Sequence, residues 1–207
     1  MLKTSYTGNR IECGCDEAGR GCLAGPVVAA AVVWPHGKTL EGLDDSKKLN
    51  RQERECLVPL IREIAVEWAI AEVDETEIDR INILKATFLA MGKAISSIKT
   101  KPELLLIDGN RFPGYPGIPH QCIVKGDGQY LSIAAASVLA KVHRDQLMAD
   151  LARQHPQYKW EKNAGYGTRE HMIALNKFGV SPFHRKSFLP VRQQLELFHQ
   201  ENSGHKD

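Results

Sequence analysis

The run Pro26-Val27-Val28-Ala29-Ala30-Ala31-Val32-Val33-Trp34 contains no charged or amide side chain. A strand of this composition has no face to offer water, so it belongs in a sheet that is covered on both sides. Helices must then lie over the sheet, and a chain of 207 residues is long enough to build one such core. Shortly before it comes Arg10-Ile11-Glu12-Cys13-Gly14, which reads as a short first strand. Between the two sits Cys15-Asp16-Glu17-Ala18-Gly19-Arg20-Gly21. Read as a turn, this stretch places adjacent carboxylates at a strand end, where they repel each other and a divalent cation would relieve them. Its glycines let a ligand approach the backbone, and Arg20 suits a phosphate. Taken alone, the stretch reads equally well as a solvated turn whose charges are neighbours.

Bulk properties narrow the classes. With a net charge of +2, any polyanionic partner must be met by basic groups gathered locally. No apolar run approaches the ~20 residues of a membrane span, and Met1-Leu2-Lys3-Thr4-Ser5 has no signal-peptide core. A cytoplasmic protein without membrane contact is expected. The five cysteines are odd in number and form no C-x-x-C pair, which argues against a disulfide framework or a zinc site and for reduced thiols.

Along the chain, Asn50-Arg51-Gln52-Glu53 has capping-box spacing and opens a helix over about 51–64, in which Pro59 is expected to kink or split the element. Residues 66–73 read as a third strand, a long helix covers about 79–98, and Glu103 to Ile107 forms a fourth, central strand. Gln121 to Val124 is a short fifth strand, a helix covers about 130–155, Thr168 to Phe178 is another, and a last one spans Val191 to Gln200. The pattern gives a single domain: a core over about 11–155, a helical extension over about 156–200 and a polar tail from 201 to 207.

Strands one, four and five each end on an acid, Asp16, Asp108 and Asp127. In an α/β sheet, ligands gather at the carboxyl ends of parallel strands. Together with Glu17 these make an oxygen-only donor set, which suits Mg²⁺ or Mn²⁺ rather than zinc. Two such ions about 4 Å apart are the apparatus of phosphodiester hydrolysis. Asp108 or Asp127 alone is ordinary turn chemistry, and Asp44, Asp45 and Asp145 are rival members. Arg20, Lys47, Lys48, Arg111, Lys125, Arg185 and Lys186 fall in loops or near element ends, where a phosphate backbone would meet them and where solvated surface is the alternative. Tyr166, between glycines, suits stacking on a sugar or base, or filling a loop core.

Together these residues resemble ribonuclease HII, a family of endonucleases that cut RNA within RNA–DNA hybrids. The resemblance runs from about Ile11 to Val191. It is carried in order by Asp16-Glu17-Ala18-Gly19-Arg20-Gly21, Asp45-Ser46-Lys47-Lys48-Leu49, Ile107-Asp108-Gly109-Asn110, Lys125-Gly126-Asp127, Ala135-Ala136-Ser137-Val138-Leu139-Ala140-Lys141-Val142, Gly165-Tyr166-Gly167-Thr168 and His184-Arg185-Lys186-Ser187-Phe188. It implies an α/β, ribonuclease-H-like, mixed five-stranded sheet flanked by helices, with a C-terminal helical extension. It also implies Mg²⁺- or Mn²⁺-dependent cleavage of RNA–DNA hybrids and of duplex DNA holding single ribonucleotides, leaving 5′-phosphate and 3′-hydroxyl ends. On the family pattern Asp16, Glu17 and Asp108 are metal ligands and Asp127 is the fourth acid. Gly19, Arg20 and Gly21 sense the 2′-hydroxyl, the group that distinguishes RNA from DNA. Tyr166 stacks at the deoxyribose beyond, and Lys47 holds phosphate. Cys22 stands where the family commonly has proline.

Gln194-Leu195-Glu196-Leu197-Phe198 resembles the peptide by which bacterial replication and repair proteins dock on the sliding clamp. Val191, Leu195 and Phe198 also describe the apolar face of a final docking helix, the reading the residues alone favour. A monomer is expected. Another two-metal nuclease acting on DNA, and a non-catalytic hybrid-binding module, remain the competing functions.

Overall fold

The computed structural model describes residues 2–203, with side chains through 197. The elements run β1 (Glu12–Ala18), β2 (Val27–Val33), α1 (Arg51–Ile64), β3 (Glu67–Val73), α2 (Glu75–Ile81), α3 (Ile83–Ser96), β4 (Leu104–Asp108), β5 (His120–Ile123), α4 (Leu131–Gln154), α5 (Trp160–Asn163), α6 (Arg169–Phe178) and α7 (Leu189–Ser203). The five strands form one mixed sheet in the order β3-β2-β1-β4-β5, flanked by helices. β1 is antiparallel to β2 and parallel to β4, and β4 is parallel to β5. β2 is buried at every position, as its composition requires.

Contacts divide the chain into two compact units. One comprises Met1–Ala18, Val28–Glu72 and Thr87–His143; the other comprises Gly19–Val27, Val73–Ala86 and Arg144–Asp207. In the first, Leu104, Leu106, Tyr130 and Ile133 form a buried cluster, with Ile123 against it. The start of α4 comes so close to β1 that a Cβ on Gly14 would overlap the backbone of Ser132 and Ile133. In the second, Ala24, Met148, Ala152, Tyr158, Trp160 and Ala174 form one cluster, and Leu23, Leu175 and Val191 another. Among the described residues no helix is long and apolar enough to cross a membrane.

Local chemistry accounts for most boundaries. Asn50 caps α1 by accepting from Glu53 N at 3.0 Å, and the Glu53 carboxylate accepts from Asn50 N at 2.7 Å, the reciprocal box its spacing predicts. Pro59 neither splits nor ends that helix. Pro59 and Glu55, the residue whose carbonyl loses its helical donor, are both exposed, so the missing bond falls on the solvent side of the helix. The long helix expected over 79–98 is instead two, divided at Asn82, whose φ is +70°. Asn82 N donates to Ile78 O, closing α2. Its side-chain oxygen accepts from Leu84 N at 3.0 Å and Lys85 N at 3.1 Å, opening α3.

The largest departure concerns β1. It does not stop at Gly14: the ladder continues through Asp16, Glu17 and Ala18, and the turn begins at Gly19. Asp16 therefore sits inside a strand rather than at its end, held there by its pairing with Ala30 of β2, one residue beyond the last pair with β4. The last helix also runs further than expected, to Ser203, and takes in the start of the expected tail; 204–207 lie outside the described residues.

Gly14 should tolerate nothing larger than hydrogen. Gly14→Ala is expected to lose about 3 kcal/mol or more in urea denaturation, because the backbone of α4 cannot move aside as a side chain can.

Candidate active site

Register brings the acids together in the first unit. Cys15 pairs with Ile107, so one step further along both parallel strands sets Asp16 beside Asp108 on the same face. Across the other edge, Asp16 faces Ala30 and Glu17 faces Ala29. The alanines keep bulk away from the carboxylates. β5 leads into a single 3₁₀ turn, Gly126–Gly128, that carries Asp127. Asp108 Oδ1 accepts from Gly126 N at 2.7 Å, which fixes that turn to the end of β4.

Asp16 is buried, 4% exposed, and its Oδ1 accepts from Glu17 N at 2.7 Å. Burial, then the negative charges of Glu17 and Asp108, push its carboxyl well above the usual range, although the Ser137 hydroxyl bonds to it. Ser137 is itself 2.8 Å from the buried Ser46 hydroxyl. Burial also raises Asp108, aided by Asp127 and opposed by Gly126 N–H. Asp127 is 2% exposed; its Oδ1 accepts from Gly128 N at 3.0 Å, and Lys47 Nζ lies 3.1 Å from its Oδ2. Burial works to lower the Lys47 ammonium, but Asp127, Asp45 and Asp16 outweigh it and raise it. Lys48 pairs instead with Asp44 at 3.1 Å.

Among the described residues no three of these groups already form a closed ion-binding cluster. The acids are linked pairwise, through Asp16 with Glu17 and Asp108, and through Asp108 with Asp127. The donor set fits a hard divalent cation: it is oxygen only, its charges are alike, and two of its members are driven toward protonation by burial and, beyond that, by the charges of neighbouring acids.

The second unit holds the Gly-Arg-Gly turn. Gly19 has φ +94°, and a Cβ there would overlap the Arg144 side chain. Arg144 is buried, and its guanidinium donates to Pro26 O at 2.9 Å, Ala24 O at 3.0 Å and Ala164 O at 2.8 Å. Arg185, placed by its sequence among the loop cations, is fully buried. It donates to Gly25 O at 2.9 Å, Arg20 O at 3.0 Å and Pro26 O at 3.1 Å. That corrects the surface reading: Arg185 shapes the loop from beneath and has no donor turned to a phosphate. Burial lowers it to about 10, so it stays charged at neutral pH.

Arg20 and Lys186 are exposed. Lys186 N donates to Asp79 Oδ2 at 2.8 Å, which orders its backbone while leaving the side chain in solvent. Tyr166 is 42% exposed, and a Cβ on Gly21 would meet its Cε1 at 3.9 Å, so ring and turn are neighbours. A bridge between Cys22 and Tyr166 fixes the two segments side by side. Asp145 belongs to this second unit, whereas the four acids belong to the first.

The family model described as Ribonuclease HII matches residues 13–191. The chain belongs to the ribonuclease HII family. Its activity is accordingly that of an endoribonuclease acting on RNA–DNA hybrids. Ribonuclease HII of Parabacteroides distasonis is 56% identical over 197 residues, covering 95% of this chain and 99% of that protein. The PCNA:RNase HII complex from Archaeoglobus fulgidus matches with a TM-score of 0.73 at 25% identity, covering 86% of this chain and 95% of that one. Bst-RNase HIII in complex with Mn²⁺ has the same fold, with a TM-score of 0.74 at 20% identity, covering 93% of this chain and 71% of that one.

Sequence reasoning passed over Ser46 and Ser137 as site residues, and Arg144 as the partner of Gly19. Arg144 was findable, since it lies on the stripe Ala140, Arg144, Met148 of α4, where an arginine among apolar residues must be satisfied internally.

The raised carboxyls set a pH dependence. Between the ordinary value of 3.8 and the raised folded value, folding takes up protons at Asp16, so its contribution to stability is present at low pH and lost as pH rises. In a chelating buffer, Asp16→Asn should therefore raise Tm, by a margin that widens from about pH 4 to about pH 7. A margin that stays constant with pH would contradict this electrostatic account.

Proposed function

We propose that this ribonuclease HII hydrolyses the phosphodiester on the 5′ side of a ribonucleotide, both in RNA–DNA hybrids and at single ribonucleotides embedded in duplex DNA. Water supplies the new oxygen on phosphorus, the bond to O3′ of the preceding nucleotide breaks, and the products carry 5′-phosphate and 3′-hydroxyl ends. The observation that carries this reading is the set of four acids that β1, β4 and the turn after β5 contribute to one unit. Asp16, Glu17, Asp108 and Asp127 would hold two divalent ions, Mg²⁺ or Mn²⁺, a choice supported by the oxygen donor set and by the Mn²⁺ complex of the RNase HIII of like fold. When bound, such ions activate water and stabilise the departing oxygen.

The remaining roles fall to this chain's own side chains. The Lys47 side chain is 77% exposed although its partner Asp127 is buried, so its ammonium stands at the solvent end of the pair, where a substrate phosphate could also reach it. Arg20 and Lys186 would meet the phosphate backbone. Gly19, Arg20 and Gly21, fixed from beneath by Arg185 and Arg144, bring their backbone up to the ribose 2′-hydroxyl, and Tyr166 stacks on the deoxyribose that follows. Such preorganisation is what recognition of one hydroxyl demands. The protein works in the cytoplasm, as a monomer.

A second reading concerns the C-terminus. Val191 is buried with Leu23 and Leu175, whereas Leu197 on the same helix is 54% exposed. The Phe198 side chain of the clamp-like peptide lies outside the described residues. The Archaeoglobus relative solved with PCNA supports docking of Gln194–Phe198 on a sliding clamp. Leu197→Ala/Phe198→Ala should abolish capture by the immobilised clamp without changing Tm; undiminished capture would leave the helix with only its docking role.

The catalytic reading is tested on matched duplexes, one all DNA, one with a single ribonucleotide, one a long hybrid. The parent should cut the last two only, on the 5′ side of the ribonucleotide, and Asp16→Asn should lose at least about 10³-fold in kcat, the scale of losing a catalytic carboxylate. Tyr166→Ala should weaken cleavage at the single ribonucleotide by about tenfold more than on the hybrid, the equivalent of one stacked base. Equal losses on both substrates would remove Tyr166 from junction reading.

A further inference from the structure

The second unit buries two histidines that the hydrolysis does not use. His171 and His184 are both fully buried, with their Nε2 atoms 3.0 Å apart. Which nitrogens carry protons is decided by neighbours that can act in only one direction. The Trp160 indole N–H can only donate, and it reaches His171 Nε2 at 3.1 Å, so that nitrogen presents a lone pair. The His171 proton is therefore on Nδ1, which donates at 2.9 Å to the carbonyl oxygen of Tyr166, a group that can only accept. At the other end, Ser181 N–H donates to His184 Nδ1 at 3.0 Å, with Ser181 Oγ 2.8 Å from the same atom. His184 Nδ1 is thus an acceptor, its proton is on Nε2, and it donates to His171 Nε2.

The two assignments come from opposite ends and agree at the shared contact. Neither ring can take a second proton without setting two N–H groups against each other. Burial accordingly holds both neutral, with His184 lowered to about 3. The rings are also clamped. His171 lies in the first turn of α6, where its N–H meets the Thr168 hydroxyl at 3.3 Å, and the Tyr158 ring stands edge-on to His184 at 4.8 Å.

The series has one direction, from Ser181 through His184 and His171, and it ends on the main chain of Tyr166. That carbonyl also accepts from Thr168 N at 2.8 Å, while Tyr166 N donates to Asn163 O at 2.8 Å. The backbone of Tyr166 is thereby held on both sides, and its ring lies beside Gly21 in a residue that is 42% exposed. We propose that His171 and His184 are positioning residues for Tyr166: their fixed tautomers aim one N–H at its carbonyl and so set the ring that reads the ribonucleotide–deoxyribonucleotide junction. The inference rests on the reading of Tyr166 given above.

Two substitutions separate this role from packing. His171→Asn places an amide N–H near the position of Nδ1, keeping the tether to Tyr166 and giving up the acceptor for Trp160 and His184. His171→Gln places a carbonyl near Nε2, keeping those contacts and giving up the tether. The quantity measured is kcat/KM on a duplex with one ribonucleotide divided by kcat/KM on a long hybrid. His171→Gln should lower this ratio about five- to tenfold, the equivalent of one lost hydrogen bond, and should lower it no further in a Tyr166→Ala background. His171→Asn should hold the ratio within about twofold of the parent even where its Tm is lower. A folded His171→Gln with the parent's ratio, or an Asn variant that loses as much as Gln, overturns the inference while leaving the function of Tyr166 intact. If Tyr166→Ala itself leaves the ratio unchanged, both readings fall. Should the variants not fold, ¹⁵N spectra of the parent decide: His171 must show protonated Nδ1 and unprotonated Nε2, and the opposite tautomer overturns the proposal.

Discussion

β1 is hydrogen-bonded along both edges, and the acid-bearing unit depends on this. A strand free on one side would twist its charges out to water. β1 cannot, because the antiparallel ladder to β2 and the parallel ladder to β4 hold its backbone in register. Asp16 is thus carried into the core at a cost that an unpaired carboxylate would not survive. Glu17 N–H and the Ser137 hydroxyl offset part of that cost. The remainder appears as raised proton affinity in Asp16 and Asp108, a negative site in want of cations. The small residues of β2 opposite the acids complete this arrangement by leaving room beside them.

The same two-sided pairing explains what the sequence reveals and what it hides. α1 is legible from Asn50 and Glu53, β2 from its unbroken apolar run, and α6 from Thr168 and Gly179 at its ends. Each is written in local propensity. The length of β1 is not, since Asp16 and Glu17 interrupt the apolar pattern and only non-local pairing keeps them in the ladder. Asn82 escapes notice for a related reason: apolar spacing continues past it, and no glycine marks the positive φ at which the helix breaks. The four acids are legible in the sequence as an oxygen-only set close to strand ends, although Asp16 proves to lie within β1 rather than at its end. The place of Arg185 is not, because its partners are carbonyl oxygens, which every residue possesses and no sequence distinguishes.

The acid-bearing strand and the turn proposed to read the sugar are consecutive in sequence. Asp16, Glu17 and Ala18 belong to the strand that carries the acids, and Gly19 begins the turn that would read the sugar. Neither half relies on a mobile side chain. The acids are placed by sheet register and the turn by buried guanidiniums. The neighbouring tyrosine is placed by a chain of neutral imidazoles that ends on its backbone. Groups fixed in this way need little reordering when a substrate arrives, which suits the recognition of a single hydroxyl proposed for this turn.

The two buried arginines have a further effect. Arg144 and Arg185 give their donors to main-chain oxygens, so their positive charge is solvated by dipoles rather than by mobile ions. Salt thins the attraction that exposed lysines exert on a polyanion, but it penetrates poorly to charges sealed from water. The phosphate contacts proposed for Lys47 and for Lys186 are each of the kind that weakens as ionic strength rises. Beneath the Gly-Arg-Gly turn the potential is built into the fold, and it persists at ionic strengths that screen exposed lysines.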